Sequence, residues 1–453
     1  MTVLIFACLT APAESRESVS TIKAPHAPGP ASFDRVFVHK FGPRDGDKVL
    51  VLMPGTQGGA GDFTLIAHNL VRRIDGLQVW AIDRRTQALE DTAVFREALD
   101  GKVSLQDAFD YYLGWITNGG TPADHYQFLD TTKYPFARQW GMKVALRDAH
   151  AVVKRAKQGG RSVVLGGHSL GASLTVAYAA WDFNGRPGYK DLDALVLIDG
   201  GLLGTFNAFD LDQAKQAIAK LRDGNPFSQL FNGLPAETAG LFGEVAGLFA
   251  RLAPRAAATT LQDYPLLPAA LNPPFPVTDR ALLGYAFDRD TSPLGRDLRV
   301  NAGGLADAGD PRDWSDGGVT PIRRVARTFG QEPSNSIEWF FPKRLTIDTN
   351  GADQLRQNDV ARYLGLRLMH AKQVDLPLYA LQTALTNGGV LRGARAFIAR
   401  ARTTRPESRL VNAAPRESHL DPLMASPRRN AFLKTIVPFL RTEAFAPGAS
   451  RHH

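Results

Sequence analysis

Cysteine is nearly missing from this chain: among 453 residues there is one, Cys8. It lies in a short apolar stretch that ends Ala11-Pro12-Ala13 and reads as a leader with a small-residue cleavage site, while Ile5-Phe6-Ala7-Cys8 resembles a lipoprotein processing site as the alternative. If that leader, residues 1–13, is removed, the mature chain has no thiol and no disulfide. This reading sends the protein to the outside or to the cell envelope; without a signal it stays cytoplasmic. Long apolar runs are also lacking. After the N-terminal stretch nothing reaches 18 consecutive apolar residues, so no integral membrane span is expected apart from the leader. The net charge is +8, but the basic residues are dispersed and none form a run interleaved with aromatics. Nucleic acid is therefore not an expected partner. The Gly-rich loop Pro54-Gly55-Thr56-Gln57-Gly58-Gly59-Ala60-Gly61 is not followed by Gly-Lys-Ser/Thr, which excludes a phosphate-cradling loop. Asp307, Asp310, Asp313 and Asp316 are spaced by three, whereas a calcium loop needs acids at alternate positions. They read as a solvated loop, and neither a metal nor a cofactor is expected. No internal repeat is visible, and nothing in the sequence fixes an oligomeric state.

What is present is a strand–helix alternation. Residues 14–32, rich in Ser, Pro and Ala, read as a linker. Phe33 to His39 alternates like a half-exposed strand, and Lys48 to Met53 and Leu77 to Ile82 are continuous apolar runs, as in a parallel sheet covered on both faces. Met142 to Lys157 has a strong helical period, followed by strands at Ser162 to Leu165 and Leu192 to Ile198. The pattern predicts an α/β fold with a mostly parallel sheet over residues 33–204. Residues 205–375 change character: amphipathic helices at Asp210 to Arg222 and Ala236 to Leu252, then many prolines, glycines and aspartates. The strand pattern returns at Leu376 to Leu381 and Arg409 to Asn412, and residues 376–445 close the core with the helix Asn430 to Leu440. Asp348-Thr349-Asn350-Gly351 reads as a turn.

One stretch carries chemistry. Arg161 to Ser173, RSVVLGGHSLGAS, reads as strand, tight turn and helix with Ser169 at the apex. The G-x-S-x-G pattern holds a serine hydroxyl on a strained turn where it can attack. Gly167 and Gly171 flank it, where strand and helix backbones pass too close for a Cβ. A serine nucleophile needs a base, and the base an orienting acid. Of the ten histidines, His452 and His453 are terminal, His26 lies in the linker, and His68 and His150 fall on helices. His168 neighbours the serine, with its side chain expected to point away from it. His419 sits in Pro415-Arg416-Glu417-Ser418-His419-Leu420-Asp421-Pro422-Leu423, a loop between the last strand and the last helix, and is the candidate base.

Four stretches, Val49 to Asp62, Val79 to Arg85, Val163 to Ser173 and Ser418 to Leu423, make the chain resemble the α/β-hydrolase family over about residues 33–204 and 376–442. The resemblance implies a Ser, acid, His order along the chain. The common place for the acid, after the penultimate strand, holds Gln382-Thr383-Ala384-Leu385-Thr386-Asn387-Gly388-Gly389, with no carboxylate. Some members carry the acid one strand earlier, which implies Asp199, at the end of Leu192 to Ile198. Asp421 is expected to brace its own loop. The oxyanion hole implied by the family is the N–H of Leu170 with that of Thr56, Gln57 being the alternative. Residues 205–375 would form a helical cap. Trp314, Trp339, Phe340 and Phe341 are expected as cap core, with an apolar acyl pocket the other reading.

The resulting expectation is a serine hydrolase cleaving a carboxylic ester, of small-molecule, lipid or polymer origin, through Ser169, His419 and Asp199. An acyltransferase on the same residues and a non-catalytic binding protein on the same scaffold are the alternatives. Lipid, aromatic ester, polyester and peptide-like amide substrates all stay open.

Overall fold

Continuous apolar runs bounded by turn residues form the central layer of the computed structural model, which describes residues 17–119, 124–230, 234–293, 295–330, 336–401 and 408–445. The expected leader, Cys8 and the terminal histidines lie outside the described residues. Eight strands build one sheet: β1 (Glu17–Lys23), β2 (Arg35–Phe41), β3 (Lys48–Met53), β4 (Leu77–Asp83), β5 (Ser162–His168), β6 (Ala194–Ile198), β7 (Leu378–Gln382) and β8 (Arg409–Asn412). Their order is β1-β2-β4-β3-β5-β6-β7-β8. β2 runs antiparallel to β1 and β4, and every other pairing is parallel.

The central strands read as unbroken hydrophobic runs because helices cover both faces. Val49 to Met53 and Val163 to Leu165 are all buried. α1 (Thr64–Val71) and α10 (Ala431–Phe439) bury Ile66, Leu70, Phe432 and Phe439 in the core on one face. α2 (Met142–Ala156) and α3 (Leu170–Ala180) bury Leu146, Val152, Leu174 and Val176 on the other. α9 (Gly389–Ala401) links β7 to β8 and buries Leu391 and Phe397.

Between β6 and β7 the chain leaves the sheet. This segment holds α4 (Leu211–Asp223), α5 (Thr238–Leu252), α6 (Asp279–Phe287), a hairpin of Gly303–Gly309 with Arg312–Asp316, α7 (Ile322–Phe329) and α8 (Lys343–Ala352).

Three local expectations are corrected. Residues 17–23, read as part of the linker 14–32, form edge strand β1. Its stability comes from main-chain pairing with β2 and from Glu17, which contacts His39 at 2.7 Å and His68 at 3.0 Å, so no apolar alternation announces it. The aspartate-rich stretch is a hairpin rather than a solvated loop. Asp313 accepts from Thr278 and Arg280, and Asp316 Oδ1 accepts the N–H of Ile322 at the start of α7. Asp348 lies inside α8 instead of in a turn. It accepts the N–H of Met142 at 2.9 Å and that of Arg344 Nε at 2.6 Å, thereby capping the start of α2. The sequence pattern Asp-x-Asn-Gly suggested a turn because the long-range partners that hold this helix are invisible locally. Trp339, Phe340 and Phe341 are fully buried packing residues, with Trp339 edge-on to Tyr126 and Tyr112, and Trp314 packs against Gly284.

Candidate active site

β5 ends at His168 and α3 begins at Leu170, leaving one residue to turn the chain. That residue, Ser169, has φ 55° and ψ −122°, a conformation that L-residues rarely adopt. The turn closes because nothing larger than hydrogen stands at its flanks. A Cβ on Gly171 would lie 2.0 Å from the Met53 carbonyl oxygen, and one on Gly167 would lie 2.3 Å from the backbone of Gly171. Ser169 Oγ has no hydrogen-bond partner among the described residues and opens onto a cavity that also reaches His419.

His419 is held from several sides. Its Nδ1 lies 2.6 Å from Asp199 Oδ2, its N–H donates to the Asp297 carbonyl at 2.9 Å, and its carbonyl accepts from His168 Nε2 at 2.8 Å. His168 is thus not a bystander: it packs beneath His419, with ring centroids 4.3 Å apart. Burial, reinforced by the neighbouring His419, lowers its pKa to about 3, so it is a neutral Nε2–H donor.

Asp199 follows β6 and is completely buried. Besides His419, it accepts the Thr383 N–H at 2.7 Å and the Thr383 hydroxyl. Burial works to raise its pKa, but the hydrogen bonds from His419 and Thr383 outweigh it and keep the carboxyl below its ordinary range. Thr383 was missed by sequence reasoning. It stands directly after β7, where the family pattern usually puts the acid, and here donates to Asp199, which follows the neighbouring strand. The only signal was the missing carboxylate. Asp421 braces the loop, as expected: it accepts from the Ser418 N–H at 2.7 Å, the Asn301 N–H at 3.0 Å and the Thr320 hydroxyl at 2.6 Å.

The loop after β3 is clamped by a residue that the sequence did not single out. Arg84 Nη2 donates to the carbonyls of Pro54 (2.8 Å) and Gly55 (2.9 Å), Arg84 Nη1 reaches that of Gly58 (3.3 Å), and the guanidinium pairs with Glu338. Because the peptide is planar and trans, a Gly55 carbonyl turned to Arg84 sends the Thr56 N–H the opposite way. Thr56 and Gln57 both line the cavity beside Ser169. Gln57 takes a positive φ of 54°, and its carbonyl accepts the Glu338 N–H at 2.8 Å. The Leu170 N–H stands in the first turn of α3, where no intrahelical acceptor exists.

Ser169 and Thr56 border two lobes. The larger, about 750 Å³, is mostly apolar and lined by residues such as Phe242, Leu261, Leu271, Leu282 and Phe329. The smaller, about 230 Å³, is lined by Ser173, Asn207, Thr346, Thr349, Asn350 and Asp353. Among the described residues no cluster of His, Cys, Asp and Glu could hold a metal ion, and no helix is long and apolar enough to cross a membrane.

No family model and no curated protein matches the chain. Solved structures do match over most of its length. A candidate lipase from Sulfolobus solfataricus is 14% identical, with 94% of this chain and 93% of that chain covered and a TM-score of 0.49. Epoxide Hydrolase A from Mycobacterium thermoresistibile is 15% identical, with 94% and 99% covered and a TM-score of 0.43. A soluble variant of monoglyceride lipase from Saccharomyces cerevisiae is 10% identical, with 99% and 100% covered and a TM-score of 0.41. The chain's own architecture carries the assignment: a mostly parallel sheet in the order β1-β2-β4-β3-β5-β6-β7-β8, a serine turn between β5 and α3, a buried aspartate after β6 and a histidine after β8 give this protein the α/β-hydrolase fold.

Proposed function

We propose that the protein is a serine hydrolase that cleaves a carboxylic ester. Ser169 Oγ attacks the carbonyl carbon while His419 Nε2 takes its proton, and Asp199 holds the Nδ1–H and stabilises the imidazolium. The N–H groups of Leu170 and Thr56, with Gln57 as the alternative second donor, receive the oxyanion. Collapse expels the alcohol, which takes the proton from His419, and water repeats the sequence on the acyl-enzyme. The observation that carries the reading is the 2.6 Å bond from His419 Nδ1 to the buried Asp199 at the wall of the cavity onto which Ser169 opens. Ser169 Oγ and His419 share no hydrogen bond in the structure; such bonds commonly tighten only when substrate is bound. The large apolar lobe suits the acyl chain, and the hydroxyl-rich small lobe suits the leaving alcohol.

The test is a panel of esters of graded acyl length, run with wild type and Ser169→Ala. Turnover is expected to disappear in the variant, together with labelling by a fluorophosphonate probe. Retained turnover in Ser169→Ala would end the proposal. The small polar lobe also suits an acceptor alcohol; added alcohols that divert the acyl group from water would identify transfer instead of hydrolysis.

A further inference from the structure

Among the described residues, the large apolar lobe contains one cation that the proposed chemistry leaves unused. Arg299 lines it together with Ser169 and His419. Its backbone is tied to the histidine loop: the Arg299 carbonyl accepts the Leu420 N–H at 3.1 Å, and the Asp297 carbonyl accepts that of His419 at 2.9 Å. The backbone of Arg299 therefore sits at a fixed place relative to His419. Its carbon lies 5.3 Å from the centre of the Phe287 ring, and Phe287 also lines the lobe. Nε is shut off from solvent and has no hydrogen-bond partner. Burial alone draws the pKa down to about 10, with no carboxylate contributing, so the group stays cationic at neutral pH. Asp62 also lines the lobe; burial, then repulsion from Asp83, pushes its pKa far up, and it does not contribute to the shift of Arg299. A buried Nε without an acceptor, on a guanidinium whose planar fork suits a carboxylate, is costly in an apolar wall unless a ligand completes it.

We infer that Arg299 is an anion anchor, and that the substrate is an ester whose apolar acyl part bears a carboxylate. This deepens the ester-hydrolase reading and rests on it for the word ester; the anion site itself rests on Arg299.

The test compares p-nitrophenyl esters of equal chain length ending in methyl, carboxylate or phosphate. Wild type is expected to favour the carboxylate over the methyl ester in kcat/KM by about tenfold or more at its best chain length, the size of one charge-assisted hydrogen bond. In Arg299→Met that ratio should collapse towards one, with Arg299→Lys in between. A wild-type ratio at or below one at every length, a ratio unmoved by Arg299→Met, or a preference for phosphate over carboxylate would overturn the assignment. Should no ester be turned over, the anchor is read separately. A free long-chain dicarboxylate should raise the melting temperature of wild type more than a fatty alcohol of equal length. That difference should vanish in Arg299→Met and shrink in Arg299→Lys, and equal shifts in wild type would again overturn it. Circular dichroism and fluorophosphonate labelling check that the variants fold; the wild-type arms decide if they do not.

Discussion

At the scale of single residues, the candidate site depends on where buried charge is balanced. Asp199 is satisfied by three donors, two of them from Thr383. Thr383→Val keeps the backbone donor and removes the hydroxyl. A hydrogen bond to a charged group contributes about 1.5–3 kcal/mol, so kcat should fall by roughly tenfold with KM little changed. Steady-state kinetics that show no drop in kcat would remove Thr383 from the machinery. Glu417 behaves oppositely. Burial first, and Asp421 second, raises its pKa to about 7, against a single compensating bond from the Ala431 N–H at 2.7 Å. The folded state therefore binds its proton more tightly than the unfolded chain, and Glu417 costs stability progressively as pH climbs from about 4.5 to about 7. Glu417→Gln should melt higher than wild type at pH 8 and equally at pH 4. Thermal unfolding at the two pH values checks this; a pH-independent difference would contradict it.

At the scale of elements, short loops are made rigid by long-range clamps. The β3 loop contains four glycines and is irregular until a 3-10 turn opens at Ala60, yet three of its carbonyls are held by Arg84, which Glu338 holds in turn. Both side chains are nearly buried, at 10% and 6% exposure, so removing one charge leaves the other stranded. Glu338→Gln is expected to cost about 3–5 kcal/mol of stability. It should also slow fluorophosphonate acylation, because the Thr56 N–H loses its fixed direction; unchanged acylation in the folded variant would deny the clamp a positioning role. Edge strand β1 shows the same logic. Burial tends to raise the pKa of Glu17, but hydrogen bonds from His39 and His68 outweigh it and bring it to about 2. The stability it contributes is complete above about 4.5 and fades as pH falls towards 2. Glu17→Gln should therefore lower the melting temperature at pH 6 and have no effect near pH 2.

At the scale of the whole molecule, the segment between β6 and β7 is sewn to the sheet around the site. Gly59 donates to Ser336 at 3.1 Å, Glu338 to Gln57 at 2.8 Å, and Asn301 to Asp421 at 3.0 Å. With the histidine loop and the β3 loop both pinned to it, this segment and the sheet should unfold together. Near-ultraviolet circular dichroism and loss of fluorophosphonate labelling are expected to give coincident melting curves; a site that melts first would show the segment to be an independent unit.

Much of this was legible locally. Buried strands announce themselves as apolar runs, and the serine turn as two glycines around one residue, because those constraints act between neighbours in the chain. By itself the sequence determined the parallel α/β core, the strand–turn–helix at Ser169 and the candidate partners His419 and Asp199. Only the tertiary structure decided what surrounds them: Thr383 on Asp199, His168 beneath His419, Arg84 and Glu338 behind the loop, Asp348 in a helix rather than a turn, and Arg299 in the wall of the cavity. Each of those contacts joins residues far apart in sequence, through directional hydrogen bonds and buried charges that leave no periodic trace in the chain.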